Sequence, residues 1–458
     1  MRAAVRVEFP RLVTIAIPLA LAQLAQNGMG LIDTLMAGRL GAESLAGIAL
    51  GSVTFFVVTI VMSSMLYAVG PMVAQATGAR RPDDAVRALR QGLWWSVLLT
   101  PPAMGLLAFV PAALRLMGQD PAVVDQAGGY LRAVSFGVLP LMAFTALRAY
   151  LEGQGRTRPL MLVAFLGVGL NVVANQAFMF GRWGFPALGL TGTGVATSIV
   201  YALMALAGFA YVARRDVVRR VFARPWRWEA PVAREILRLG WPIAVTVGFE
   251  TGLFAISALL MGLIGPAELA GHQVAIQTAS FSFMIPLALG VATTARVGHA
   301  VGRGDPMGVR AAGAVGMVAS VMVMSLTALL YWLAPRAVVG LYLDVADPAN
   351  AAVVWHAASF LALAALFQLA DGLQVSALGA LRGLKDTRAP MLITLLSYWA
   401  VGLSSGVWLA FGRGLGGVGL WWGLVLGLTV ASVALTARFL ALLRRVPAVS
   451  RPGVDSPA

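Results

Sequence analysis

The octapeptide LGAESLAG at residues 40–47 returns as IGPAELAG at 264–271, an offset of 224 positions. At the same offset Pro18 meets Pro242, Gly78 meets Gly302 and Pro82 meets Pro306. Two further stretches recur in the same order. LEGQGRTR (151–158) matches LRGLKDTR (381–388), and GLTGTG (189–194) matches GLGGVG (414–419). The chain reads as one unit used twice.

Composition says what kind of unit it is. The 458 residues are 59% hydrophobic and 12% charged, with a mean hydropathy of +0.83. Soluble domains carry about 25% charged residues, so most of this chain has the bilayer as its solvent. Apolar stretches long enough to cross about 30 Å of hydrocarbon fall near 11–38, 46–77, 89–113, 123–151, 159–181 and 189–213. A second set falls near 233–263, 267–300, 309–333, 351–381, 389–411 and 417–443. Breaker-rich loops such as GARRP (78–82), GQGRTRP (153–159) and GRGDP (302–306) separate them. The predicted fold is an all-α polytopic membrane protein of twelve transmembrane helices in two six-helix lobes. The N-lobe covers 1–213 and the C-lobe 233–445, with a polar inter-lobe loop at 214–232 and a Pro-rich tail at 446–458 that should be disordered. Six helices is an even number, so both copies insert the same way up. A pseudo-twofold axis along the membrane normal then relates them, with a cavity between.

Of the 34 Lys and Arg residues, only Arg39, Arg115, Arg132, Arg182, Arg336 and Arg413 fall on the side of the odd-numbered loops. By the positive-inside rule both termini are cytoplasmic, and a multi-pass protein of the bacterial inner membrane is expected, as a monomer. Topology thus accounts for the net charge of +15 without a nucleic-acid partner; membrane lipids are the surroundings expected instead. The N-terminal MRAAVRVEFPR leads into an apolar run too long for a signal-peptide core, so it reads as the start of the first helix. The absence of cysteine excludes a disulfide framework and a thiolate metal site. The three histidines, 272, 299 and 356, lack metal-ligand spacing. With no Walker motif, no HExxH and no Ser/His/Asp constellation, the sequence points away from an enzyme and from ATP-driven transport, and calls for no cofactor.

Three carboxylates lie well inside predicted spans: Asp33, Glu250 and Asp371. An ionisable group at mid-bilayer costs about 2.5–3.5 kcal/mol or more, so it marks an ion or substrate path by default. Each sits on a polar helical face. Gln26, Asn27 and Asp33 share one on the first helix, with Asn171 and Asn175 one turn apart on the fifth. Thr246 and Glu250 align on the seventh, Gln273 and Gln277 on the eighth, and Gln368, Asp371 and Gln374 on the tenth. Carboxylate, carbonyl and hydroxyl oxygens suit a hard monovalent cation or a proton. The repeat sharpens this: Gln26 is the counterpart of Glu250 and Asp33 that of Ser257, so the acid has moved about two turns between equivalent helices.

Several of these stretches resemble the multidrug and toxic compound extrusion (MATE) family, and its NorM branch in particular. The resemblance rests on IPLALAQLAQ and DTLMAGRLG (17–41), VGPMVAQATGA (69–79), ALRAYLEGQGRTRPLM (146–161), WPIAVTVGFET (241–251), LAGHQVA (269–275) and FQLADGLQVSALGALRGLKDT (367–387). It implies a secondary active efflux transporter that exports amphipathic, often cationic small-molecule drugs by antiport with Na+ or H+. Alternating access of the two lobes would carry the exchange. Asp33, Asn171, Asn175 and Thr193 correspond to the family's N-lobe cation site, and Glu250 with Asp371 to a C-lobe pair. Phe367 stands where the NorM pattern often has tyrosine, which removes an oxygen ligand, and Asn175 replaces an acid found in DinF-like members. Gln26, Asn27, Thr246, Phe249, Gln273, Gln277, Phe367, Gln368 and Gln374 are the expected lining of the substrate cavity. The rival reading, a flippase for lipid-linked saccharides, wants cations in the cavity, where this sequence has acids.

Overall fold

Among the described residues of the computed structural model, eleven helices are long and apolar enough to cross a bilayer, and a pair bent by 52° makes twelve when counted as one span. They are α1 (Arg2–Gly38), α2 (Ala42–Gly78), α3 (Pro82–Leu116), α4 (Pro121–Ser135 and Val138–Gly153), α5 (Arg158–Phe178) and α6 (Leu190–Ala213). After the inter-repeat loop come α7 (Ala230–Ile264), α8 (Pro266–Gly302), α9 (Pro306–Leu333), α10 (Ala351–Gly383), α11 (Arg388–Gly412) and α12 (Gly416–Leu443). The structure describes residues 2–214, 219, 222 and 224–444, with side chains from residue 6. The tail at 446–458 and parts of the 214–232 loop lie outside the described residues, among which no strand occurs.

Local chemistry explains the starts. α4, α8 and α9 begin on proline, whose missing N–H costs nothing at a first turn. Asp120 accepts from the amide of Ala122 and Asp305 from that of Gly308, both at 2.8 Å, capping α4 and α9. Several helices outrun the apolar windows that announced them. α1 starts at Arg2 rather than near 11, because the flanking polar turns continue the helix beyond the hydrocarbon. Exposed Leu106 and Phe109 on α3, Leu259 and Leu263 on α7, and Leu326 and Leu333 on α9 are the outward surface that acyl chains cover.

The chain forms two compact units, and they cut across the repeats. One holds the residues up to Ala16, Ala74–Arg81 and the chain from Gly252 on; the other holds Ile17–Val73 and Pro82–Thr251. The core of the first centres on Met261, Tyr331, Phe360, Tyr398 and Trp421. The core of the second centres on Ile48, Phe55, Tyr130, Met142 and Leu190. The units differ from the repeats because the start of α1 and the end of α2 pack onto second-repeat helices, whereas the first half of α7 packs onto α2 and α3.

The repeat is legible at the level of atoms. A Cβ built on Gly47 of α2 would stand 2.7 Å from the Cβ of Gln126 on α4. Its counterpart Gly271 on α8 would put one 2.8 Å from the Cβ of His356 on α10. Where α2 ends on α8, a Cβ on Gly78 would strike the carbonyl oxygen of His299, and one on Gly302 would strike that of Gln75. The obstacle in each case is backbone, which cannot swing aside. Gly302→Val should therefore cost about 1–3 kcal/mol through overpacking and lower the melting temperature in detergent by several degrees. Adding Gly78→Val should cost less than its single effect, because the helices are already apart; additive losses would show that the two glycines serve separate contacts.

Candidate functional site

Asp33 lies on α1 in the second half of the helix and is 7% exposed. Three helices supply its surroundings. From α5, Asn175 Nδ2 donates to Asp33 Oδ1 at 2.6 Å and, at 3.4 Å, to Asn171 Oδ1 one turn back. From α6, Thr197 Oγ1 donates to Asp33 Oδ2 at 3.3 Å. Asn171, Asn175 and Thr193 are completely buried, and Thr197 is nearly so. The phenols of Tyr130 and Tyr201 lie within electrostatic reach of the carboxylate.

The cluster is unsaturated. Among the described residues, Asn175 Oδ1 and Thr193 Oγ1 are buried oxygens without a hydrogen-bond partner. Buried polar atoms are almost always paired; Asn175 Oδ1, on the side chain that meets the carboxylate, and Thr193 Oγ1, one turn before Thr197, are oxygens free to coordinate. Asn175 Oδ1, Thr193 Oγ1 and the carboxylate oxygens are hard, neutral-to-anionic ligands, the set that suits a small cation or a proton. Among the described residues no cationic side chain hydrogen-bonds to Asp33, whose carboxylate is met by the Asn175 amide and the Thr197 hydroxyl.

The structure thus brings together Asp33, Asn171 and Asn175 and adds Thr197 from α6, while Thr193 lies buried one turn before Thr197. The signal for Thr197 was available, since Thr193 and Thr197 stand one turn apart on α6. Arg148 on α4 is a second addition. Its Nε donates to Glu152 at 2.7 Å and its Nη1 to Gln26 Oε1 at 3.0 Å, so this amide of α1 is held by a paired cation.

The expected cavity residues divide by exposure. Asn27, Gln273 and Gln277 are exposed, and Gln26, Phe249 and Glu250 partly so. Thr246, Phe367, Gln368, Asp371 and Gln374 are buried. Thr246 donates to the carbonyl of Pro242 at 2.8 Å, inside its own helix. Gln368 is clamped by α9: Thr327 Oγ1 donates to its Oε1 at 2.6 Å, and its Nε2 donates to Tyr331 Oη at 2.9 Å. Phe367 packs edge-on to Phe254 and Trp421. Gln374 Oε1 is buried without a partner.

Comparison with known proteins agrees in sequence and in fold. The MatE family profile matches residues 18–176 and 242–408. The probable multidrug resistance protein NorM of Mesorhizobium japonicum is 43% identical over 446 residues, covering 96% of each chain. The multidrug resistance protein NorM of Burkholderia vietnamiensis is 42% identical over 93% of this chain and 92% of its own. Among solved structures, a MATE in the bent conformation superposes with a TM-score of 0.85 at 19% identity, over 97% of both chains. The eukaryotic MATE transporter AtDTX14 gives 0.83 at 23% identity, over 97% of this chain and all of its own.

Proposed function

This chain belongs to the MatE family, and from that premise we propose that it is a secondary active exporter of amphipathic, often cationic drugs, driven by inward movement of Na+ or H+. The substrate class follows the multidrug resistance named in its relatives. The ion coupling rests on one observation, the buried Asp33 carboxylate met by Asn175 and Thr197, with Asn175 Oδ1 left unpartnered beside it.

The cycle is alternating access of two lobes. A carboxylate buried without a counter-charge is costly, so Asp33 gains when a cation or proton enters its cluster. Neutralised, it releases its hold on the amide of Asn175 and the hydroxyl of Thr197, and α1 becomes free to rearrange. A Cβ on Gly28 or Gly30, between Gln26 and Asp33, would meet no neighbouring helix within 4 Å, so no other helix packs closely against α1 at these two positions. Rearrangement weakens drug binding, drug leaves outward, and the ion-loaded protein returns. Linkage requires that drug and ion disfavour each other by the same factor. The membrane potential supplies about 2.3 kcal/mol per charge per 100 mV. The alternative of a saccharide-lipid flippase would need cations facing a pyrophosphate, and Asp33 offers the opposite sign. In this reading the protein is not an enzyme, sits in the inner membrane with cytoplasmic termini, and works as a monomer.

Proteoliposomes loaded with ethidium and given independent Na+ and pH gradients test the proposal. Efflux should follow one of the two gradients, which identifies the ion. Equal efflux with both gradients collapsed would eliminate antiport.

A further inference from the structure

On the side of the membrane opposite the arginine-rich loops, one cation of α4 is left without a counter-ion. Arg132 is exposed, and its guanidinium makes one hydrogen bond, from Nε to the carbonyl of Gly128 at 3.3 Å. Among the described residues no carboxylate pairs with it. The acid on the same helical face, Asp125, is held by Arg115 of α3 at 2.7 Å and lies seven residues, about 10.5 Å, nearer the helix start. Arg132 is level with the first turns of α6. A Cβ on Gly129 would stand 2.6 Å from Thr191 Oγ1, and one on Gly194 2.6 Å from the carbonyl oxygen of Tyr130. Both contacts fall within the first turns of the α6 span, which begins at Leu190. An arginine near the end of a span keeps its charge in the interface, at the level of lipid phosphates.

Two spaces meet at this side chain. Between α3 and α4 lies a cavity of about 330 Å³, walled by Leu107 and Pro111 and carrying Arg115, Asp125, Arg132 and Ser135. Between α4 and α6 runs a groove of about 650 Å³ lined by Ala133, Phe136, Val195 and Ile199. Arg132 is the one residue that lines both. Gly128 and Ser135 are the small α4 residues along the first space, and Gly129 lets α4 and α6 approach closely beside the second.

We propose that these two spaces bind one glycerophospholipid, with its phosphate on the Arg132 guanidinium. The headgroup occupies the cavity toward Arg115 and Asp125, and an acyl chain lies along Phe136 and Val195 in the groove. A guanidinium offers paired donors to two oxygens of one phosphate, and the groove supplies the apolar contact that a free phosphate has no use for. A diacyl lipid satisfies cation and groove together. The site lies in the unit containing Asp33, but the proposal does not depend on what the protein transports.

Native mass spectrometry of the delipidated full-length protein, titrated with dioleoylphosphatidylglycerol, reads the site directly. Wild type should hold one tightly bound lipid more than Arg132→Gln, with an affinity difference of about tenfold, and Arg132→Lys should fall between. Val195→Trp keeps the cation but fills the groove, and should also lose the bound lipid, which guards against a misfolded arginine variant. Inorganic phosphate should not displace the lipid, and a single-chain lysophospholipid should bind more weakly. Equal lipid retention by wild type, Arg132→Gln and Val195→Trp would overturn the proposal. So would displacement by inorganic phosphate at concentrations comparable to the lipid, which would mean an ion site alone.

Discussion

Asp33→Asn is expected to abolish ion-driven dye efflux while leaving the folded protein at least as stable as wild type. The substitution is nearly isosteric and keeps an oxygen that can accept from Thr197, so packing around α1, α5 and α6 survives. It removes the one formal charge in a cluster whose other members, Asn171, Asn175, Thr193 and Thr197, are neutral. A neutral cluster has no electrostatic reason to gather a cation and no group that takes up a proton. Loss should therefore exceed about tenfold in efflux rate in proteoliposomes. Stability should move the other way or not at all, since burying an unpaired carboxylate is unfavourable to the fold. The pairing of the two readouts matters. Lost transport in a variant that also melts early would point to structure; lost transport in one that melts no earlier points to ion coupling. Full efflux by Asp33→Asn at normal expression would remove the carboxylate from the mechanism.

Arg296→Met should destabilise by about 3–5 kcal/mol, the cost of leaving a buried carboxylate without its partner. Arg296 on α8 donates through Nε to Glu8 Oε2 at 2.8 Å and through Nη2 to Oε1 at 2.7 Å, and both residues are under 10% exposed. Arg11, 3.6 Å from Glu8 and largely exposed, can swing toward the abandoned acid, so the observed loss should sit at the low end. The double variant Glu8→Leu with Arg296→Met should recover most of the loss, because replacing both members of a buried pair by apolar groups is far milder than removing one. Thermal unfolding of the purified protein checks this. A double variant no more stable than Arg296→Met would show that the pair holds α1 to α8 by more than charge balance.

How far the sequence carried depended on whether the signal was periodic or long-range. Glycines and prolines punctuate every boundary, and the 224-residue offset fixed the number of spans. Asp33, Asn171 and Asn175 stand out because intramembrane polar residues are rare and the two asparagines are one turn apart, whereas Thr193 comes only from the family resemblance. Thr197 was passed over although it obeys the same spacing, since a threonine in an apolar helix usually bonds its own backbone, as Thr246 does. Gln368 illustrates the opposite error of scale: a polar helical face says that a partner exists, not whether it is a cavity or a neighbouring helix, and here it is α9. Arg148 stands near the end of α4, and its guanidinium reaches across to Gln26. The pair Glu8–Arg296, separated by 288 positions, has no local pattern at all. For the same reason the compact units could not be drawn from the sequence, which records the repeats but not the segments that pack away from their own copy.

The glycine crossing at the end of α2 has a further meaning when it is seen as a contact between two versions of one surface. Gly78 faces His299 while Gly302 faces Gln75, and in each pair the second residue is the counterpart of the neighbour of the first, since positions 75 and 299 are themselves 224 apart. Residue i meets j′ and j meets i′. Two identical subunits related by a twofold axis make contacts of this isologous kind; here a single chain makes one with itself. Each six-helix half therefore owns both faces of a self-complementary joint, and either half produced alone should be prone to homodimerise through the surface that now closes the intact chain.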